Sequence, residues 1–250
     1  MKNLPSLIVA AISLAAPSLA SGASVIVNEI NAAGTTTPGD WFELVVVGNG
    51  TAGSTVDMRG WSVRIDNAGT TNVGFFTLSN ASYWSNVLAG TILTFHEDNT
   101  AGGGFDSAIN TVNNFTTLGW AHTNIYIGDA TYVNTSGPGY DGSFPIDQTN
   151  TQVAIFDASS ALVFGPAGEN HVGYVGSGVG SGEIFKLEAN PSPSITLTSP
   201  YNDGSTSTFG APNQWSSGAN TQDFSAYIVP EPSSALLGCV ALLGLARRRR

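Results

Sequence analysis

Cysteine and positive charge are nearly absent from this chain. Of its 250 residues a single one is cysteine. That residue, Cys239, lies in an apolar run near the C-terminus, so the body holds no disulfide and no thiol chemistry, and a hydrophobic core must stabilise it. Lysine and arginine together number 8, against 18 acidic residues. Lys2 and Arg247 to Arg250 belong to the two ends, leaving Arg59, Arg64 and Lys186 for everything between. A body this acidic repels phosphate, which makes nucleic acid and anionic lipid headgroups poor partners. Catalytic patterns are missing too. His96, His122 and His171 lie far apart and lack metal-ligand spacing such as His-Glu-x-x-His. No Gly-x-Ser-x-Gly elbow occurs. The glycine-rich stretch Gly176 to Gly182 lacks the Lys-Ser/Thr of a P-loop and reads as a flexible hairpin or loop.

What is present begins with the ends. Lys2 precedes an apolar stretch from Leu4 to Leu19, interrupted by Pro5 and Pro17. Small residues come next, and both Ser18-Leu19-Ala20 and Ser21-Gly22-Ala23 fit a cleavage site. Residues 1–23 therefore read as a secretory signal peptide, which implies signal peptidase and the secretion machinery as partners. Near the other end, Pro230-Glu231-Pro232 precedes an apolar run from Ser233 to Ala246 and then Arg247, Arg248, Arg249 and Arg250. The run wants to leave water, and the terminal charges cannot follow it across a membrane. About 14 residues make a helix of about 21 Å, short of a hydrocarbon core of about 30 Å. The segment is a marginal transmembrane helix, suited to transient anchoring. The order of these parts resembles the PEP-CTERM sorting signal of bacterial surface proteins. That resemblance implies recognition and cleavage by an exosortase-type processing enzyme at residues 230–250. It also implies export across the inner membrane, anchoring by the C-terminus, and then a cell-surface or extracellular location.

The body reads as all-β. Low charge, abundant Gly, Ser, Thr and Asn, and many short apolar runs favour strands over helices. Strands are expected at Ser24 to Asn31, Trp41 to Val47, Val56 to Asp66 with a bulge or bend at Gly60, and Thr91 to His96. Further strands are expected at Thr151 to Phe156, Ala161 to Phe164, Ile184 to Leu187, Ser194 to Thr198 and Phe224 to Val229. Asn49-Gly50, Asp141-Gly142 and Asp203-Gly204 read as turns. Asp157 to Ser160 reads as a hairpin connection. A two-sheet sandwich accommodates this pattern.

Three segments carry a second resemblance. Ser24 to Ile30 ends in Asn28-Glu29-Ile30, Trp41 to Leu44 reads Trp-Phe-Glu-Leu, and Val56 to Val63 contains Asp57, Gly60 and Trp61. Phe209-Gly210-Ala211-Pro212-Asn213 stands near the end. Together they look like a lamin-tail domain, which implies an immunoglobulin-like β-sandwich over residues 24–215, enlarged by a loop-like insertion between Phe75 and Asn150. Residues 216–229 then read as a spacer or last strand.

Candidate site residues are few. Glu29 and Glu43 become neighbours if the first two strands pair, and a carboxylate pair can do acid–base work or hold a metal; alternatively they accept backbone hydrogen bonds at strand ends. Asp57 is expected to fix its own turn. His96, Glu97 and Asp98 read as a solvated loop with metal-ligand potential. Calcium is a candidate cofactor at Asp141, Asp147 and Asn202-Asp203, although none matches a known calcium loop. Trp84, Trp120 and Trp215, if exposed, offer faces for stacking on sugar, and so bring in exopolysaccharide as a partner. Three readings stay open: a non-enzymatic surface or matrix protein, a carbohydrate- or calcium-binding adhesion module, and a secreted hydrolase.

Overall fold

A computed structural model describes residues 22–32, 40–67, 73–97, 110–134, 144–146, 151–168, 184–204 and 206–230. The strands in chain order are β1 (Val25–Asn31), β2 (Trp41–Val46), β3 (Thr55–Val56), β4 (Ser62–Asn67), β5 (Val73–Leu78), β6 (Val87–Leu88), β7 (Thr91–His96), β8 (Asn110–Asn114), β9 (Trp120–Tyr126), β10 (Val133–Asn134), β11 (Thr151–Phe156), β12 (Leu162–Gly168), β13 (Ile184–Leu187) and β14 (Tyr201–Gly204). Among the described residues the helices are two short 3-10 turns, Ser82–Asn86 and Ser225–Tyr227. The strands form a seven-stranded sheet, β14-β13-β1-β2-β7-β9-β8, a five-stranded sheet, β10-β5-β4-β11-β12, and a small β3-β6 pair. The expected all-β sandwich is what the chain forms.

Alternation along the strands builds the layer between the sheets. From the seven-stranded sheet, Phe42 stacks on Phe95 with ring centroids 5.2 Å apart. From the five-stranded sheet, Phe76 lies 5.3 Å from Phe95 and 6.3 Å from Phe42. Trp84, on the first 3-10 turn, stacks parallel to Phe95 at 6.4 Å. Its indole N–H donates to the Tyr132 carbonyl at 2.8 Å, which satisfies the one polar atom this ring brings inside. Val63 and Ile65 on β4, with Val153 and Ile155 on β11, extend the core, and all four are buried.

Several expected elements take a different form. The segment from Val56 to Asp66 bends at Gly60, and Val56, Met58, Trp61, Val63 and Ile65 are buried as expected, but it is not one strand. Gly60 sits at φ +71° in a turn in which the Trp61 N–H donates to the Met58 carbonyl. The pieces on either side, β3 and β4, belong to different sheets. Within the stretch from Phe75 to Asn150, β7 forms over the expected Thr91 to His96, and the rest is not one loop-like insertion, since it adds β8 and β9 to the larger sheet. Its Thr residues favour strands, and its Asn residues are tolerated because cross-strand pairing, including the parallel β7–β9 ladder, outweighs their weak strand preference. Ser194 to Thr198 forms turns instead of a strand, since its hydroxyls bond locally, with Ser199 Oγ accepting the Thr196 N–H at 2.9 Å. Asp203-Gly204 is strand, paired to Phe185 and Ile184. Phe224 to Val229 contains a 3-10 turn, because Asp223 accepts the Ser225 N–H at 2.8 Å and pins it. The Asp157 to Ser160 hairpin forms as expected, with Asp157 Oδ1 accepting the Ser159 and Ala161 N–H groups.

Replacing Phe95 with alanine removes the ring on which Phe42, Phe76 and Trp84 converge. The expected loss is about 3–5 kcal/mol of unfolding free energy, to be read from the urea midpoint at unchanged slope. A loss under about 1 kcal/mol would show that these rings do not form one packed layer.

Candidate functional site

Strand periodicity turns one face of the seven-stranded sheet toward the aromatic core and the other away from it. On the far face, cross-strand register places Lys186, Glu29, Glu43, Thr94 and Asn124 in one row across β13, β1, β2, β7 and β9. Every member of this polar row is buried. The row is covered by the segment running from Thr206 to Val229, here termed the strap. The neighbouring row carries Trp41 and His96, and Phe209 of the strap meets the Trp41 ring edge-on at 5.2 Å and the His122 ring at 5.5 Å.

The two carboxylates bind the strap through its backbone. Glu29 Oε1 accepts the Thr208 N–H at 3.1 Å, and Oε2 accepts the Thr208 hydroxyl at 2.6 Å. Glu43 Oε1 accepts the Gly210 N–H at 2.5 Å and the Thr94 hydroxyl at 2.8 Å. With its hydrogen given to Glu43, Thr94 Oγ1 is left to accept from His122 Nε2, 3.0 Å away, which selects the Nε2–H tautomer. Gly210 has φ +67°, and a Cβ there would fall 2.6 Å from the His122 ring, so the strap passes here only as glycine.

A second set of bonds lies beside the first. The β1 register shifts between Val27 and Glu29, which leaves Asn28 as an extra residue in the ladder. Asn28 Nδ2 donates to Asn213 Oδ1 at 3.1 Å, and Asn213 Nδ2 returns to the Asn28 carbonyl at 3.0 Å. Gln222 Nε2 donates to Asn28 Oδ1 and to the Leu187 and Ala189 carbonyls. The strap then continues through buried Phe224 and Tyr227, whose hydroxyl donates to the Pro191 carbonyl at 2.9 Å. It ends with the Val229 N–H donating to the Phe115 carbonyl at 3.1 Å.

Burial makes these acids weak. It raises the Glu29 carboxyl from 4.5 to about 7 against the opposing effects of the Thr208 bonds and the Lys186 charge. Burial, and then the charge of Glu29, push Glu43 well above the ordinary carboxylate range. Burial also holds the His122 imidazole down at about 4. Neither carboxylate has exposed surface, and Glu43 Oε2 has no hydrogen-bond partner among the described residues. The arrangement suits structural clamping. Both acids are closed off from solvent.

The expected Glu29–Glu43 pair is thus brought together by the register, and the alternative role of accepting backbone hydrogen bonds is also present. His96 is not in a solvated loop: it ends β7 fully buried, opposite Trp41, while Glu97 beyond it is exposed. Asp98 lies outside the described residues. Trp84 is buried, which removes it as a sugar-stacking face, and Trp120 and Trp215 are half-buried. Asp57 fixes its turn by accepting the Arg59 N–H at 3.2 Å, and it pairs with the Arg59 guanidinium. Asn202 and Asp203 lie on β14 rather than in a calcium-type loop. Among the described residues no three His, Cys, Asp or Glu side chains are placed to hold a metal ion. Asp141, Asp147, His171, the stretch Gly176 to Gly182, and the end segments 1–21 and 231–250 lie outside the described residues. Among the described residues no helix is long and apolar enough to cross a membrane. A groove of about 380 Å³ opens on the outer face of the five-stranded sheet, lined by Ser62, Arg64, Phe75, Phe156 and Ser160.

Nothing in the local sequence signals the strap. Asn213 sits in the Gly210-Ala211-Pro212-Asn213 run that carries part of the lamin-tail resemblance, yet its neighbours give no sign that it folds back 185 positions onto Asn28. Of residues 216–229, expected as a spacer or last strand, 216–221 are exposed, and the chain docks from Gln222 onward through Phe224, Tyr227 and Val229.

The strap delivers the chain at Val229, beside the turn at Phe115. Residues 229–250 match the PEP-CTERM protein-sorting motif. No curated protein and no solved structure matches the chain. The PEP-CTERM motif points to export, to processing by an exosortase, and to a destination at the cell surface or in the extracellular space. In this chain it starts at the residue where the strap ends, with no intervening linker.

The titrations set opposing slopes. Glu29 and Glu43 keep protons in the folded state that the unfolded chain releases above about pH 4.5, so the contribution of each is full below that value; that of Glu29 is lost as pH rises through about 7, and that of Glu43 as pH rises well above the ordinary carboxylate range. His122 contributes in the opposite sense, and its share is lost as pH falls from 6.5 toward about 4. Two acids outweigh one imidazole, so the melting temperature should fall as pH rises from 5 to 8. Glu43→Gln keeps the acceptor for Gly210 and Thr94 while removing the ionisation. It should flatten that fall and melt above the parent at pH 8; parallel melting curves across the range would refute the buried-acid assignment.

Proposed function

We propose that this chain is a non-enzymatic exported protein whose PEP-CTERM tail anchors it transiently in the inner membrane, until an exosortase-type enzyme cuts near Pro230-Glu231-Pro232. Residues 1–23 act as the signal peptide, recognised by the secretion machinery and removed by signal peptidase. Ser233 to Ala246 serve as the membrane segment, and Arg247 to Arg250 stay on the cytoplasmic side. The body then acts at the surface or in the matrix as a lamin-tail-like sandwich. The observation that carries this reading is the motif match over 229–250, joined directly to a folded, strap-sealed domain. The lamin-tail-like reading is supported by the way its scattered segments meet: Asn28-Glu29, Trp41 and Glu43, and Phe209 to Asn213 form a single cluster. The non-enzymatic reading is supported by the sealed state of the acid pair.

Replacing Arg247 to Arg250 with alanine should release the stop and change retention in the membrane fraction. Replacing Pro230-Glu231-Pro232 with glycine should leave an uncut precursor, visible as a larger mass by immunoblot. Unchanged retention and unchanged mass in both variants would contradict the reading.

Carbohydrate binding is a second reading, and the groove beside Phe75 and Phe156 favours it over the tryptophans. Two aromatic rings, the Arg64 guanidinium and the Ser62 and Ser160 hydroxyls combine apolar area with donors at its edge. Exopolysaccharide fragments at millimolar concentration should then raise the melting temperature, and Phe156→Ala should abolish the rise. No shift in the parent protein would remove this reading.

A further inference from the structure

We propose that the hairpin tip between β8 and β9 is a membrane-facing surface, held against lipid headgroups while the tail is anchored. This rests on the anchoring reading above and goes beyond it, because it assigns the orientation of the body. Chain length carries the argument. Val229 is hydrogen-bonded to Phe115 in the turn from Asn114 to Gly119. The apolar run begins at Ser233, and four residues span at most about 14 Å when fully extended. With Ser233 to Ala246 in the bilayer, the turn lies within that reach of the interface.

The turn and the strap form one unit. The Thr117, Leu118 and Gly119 N–H groups all donate to the Asn114 carbonyl. Gly119 has φ +77°, and a Cβ there would fall 2.1 Å from the Phe224 carbonyl oxygen, so strap and turn touch backbone to backbone. Phe115 is buried, while Thr116, Thr117 and Leu118 are exposed, Leu118 by 47%.

The chemistry of this end suits an interface. From Asn110 to Gly128 there is no Asp, Glu, Lys or Arg, in a chain with 18 acidic residues. The tip itself therefore carries no acidic side chain to repel headgroups, while exposed Asp223 on the strap and Glu231 in the sorting motif lie outside it. Leu118, with half-buried Trp120 at the start of β9, offers the apolar and aromatic contacts found at the headgroup level. The contact is maintained by the tether and ends when the tail is cut.

The test uses the full chain with Cys239→Ser, reconstituted in phosphatidylcholine vesicles carrying headgroup-quencher lipid. A fluorophore is placed at Leu118→Cys, or at Leu162→Cys on β12 of the other sheet, where Leu162 is 55% exposed. The Leu118 probe should be quenched several-fold more than the Leu162 probe. A Gly/Ser insert of roughly 12 residues between Val229 and Pro230, with an r.m.s. span of about 19 Å, should bring the two to the same level while the protein still floats with the vesicles. Equal quenching in the uninterrupted, vesicle-bound chain overturns the docking and leaves the anchor intact. Quenching of the Leu118 probe that requires added processing enzyme assigns the surface to that enzyme and overturns the lipid contact. Failure of the chain to float with vesicles overturns the anchor itself, and the docking with it.

Discussion

Two strap amides, those of Thr208 and Gly210, find their acceptors in carboxylates that stand side by side on adjacent strands. The rest of the arrangement depends on this clamp. A segment crossing the face of a sheet has no ladder in which to spend its N–H groups, and a buried unpaired N–H costs about 1–3 kcal/mol. Glu29 and Glu43 supply acceptors at the required height above the sheet. Their own desolvation is lessened by holding protons, by Lys186 beside Glu29, and by the hydroxyls of Thr208 and Thr94. The Asn28–Asn213–Gln222 set extends the same solution with neutral amides. An apolar replacement for either acid would remove the desolvation term and orphan the strap.

The clamp also accounts for how much of the protein is legible in its sequence. β1, β2, β11 and β13 are readable because each is a short apolar run whose own residues decide its conformation. The Glu29–Glu43 contact comes from assuming that β1 and β2 pair, and the register places the two residues opposite each other. Between Phe75 and Asn150, β7 is readable at Thr91 to His96, whereas β8 and β9 are less legible, since their Asn and His residues depend on partners for strand form. The strap is hidden for a related reason. Its polar residues look like a solvated spacer, and the groups that bury them lie on β1, β2 and β13, far away in sequence. Local hydroxyl bonding at Thr196 and Ser199 reverses one strand expectation, and pairing with β13 reverses a turn at Gly204.

The clamp joins the fold to the address as well. The PEP-CTERM motif begins where the strap ends, and the strap is bonded to the larger sheet at Thr208, Gly210, Asn213 and Gln222. A processing enzyme therefore meets its motif directly against a folded body. The polar row beneath the strap gives the domain a sealed outer face on that sheet, while the five-stranded sheet keeps an open groove on its own outer side.

Amide hydrogen exchange on the intact chain tests the central claim most directly. The N–H groups of Thr208, Gly210, Gln222 and Val229 should be protected to the same order as those of β2, because strap and sheet open together. Exchange of these four at the rate of an unstructured tail, with β2 still protected, would show that the strap is not part of the folded core.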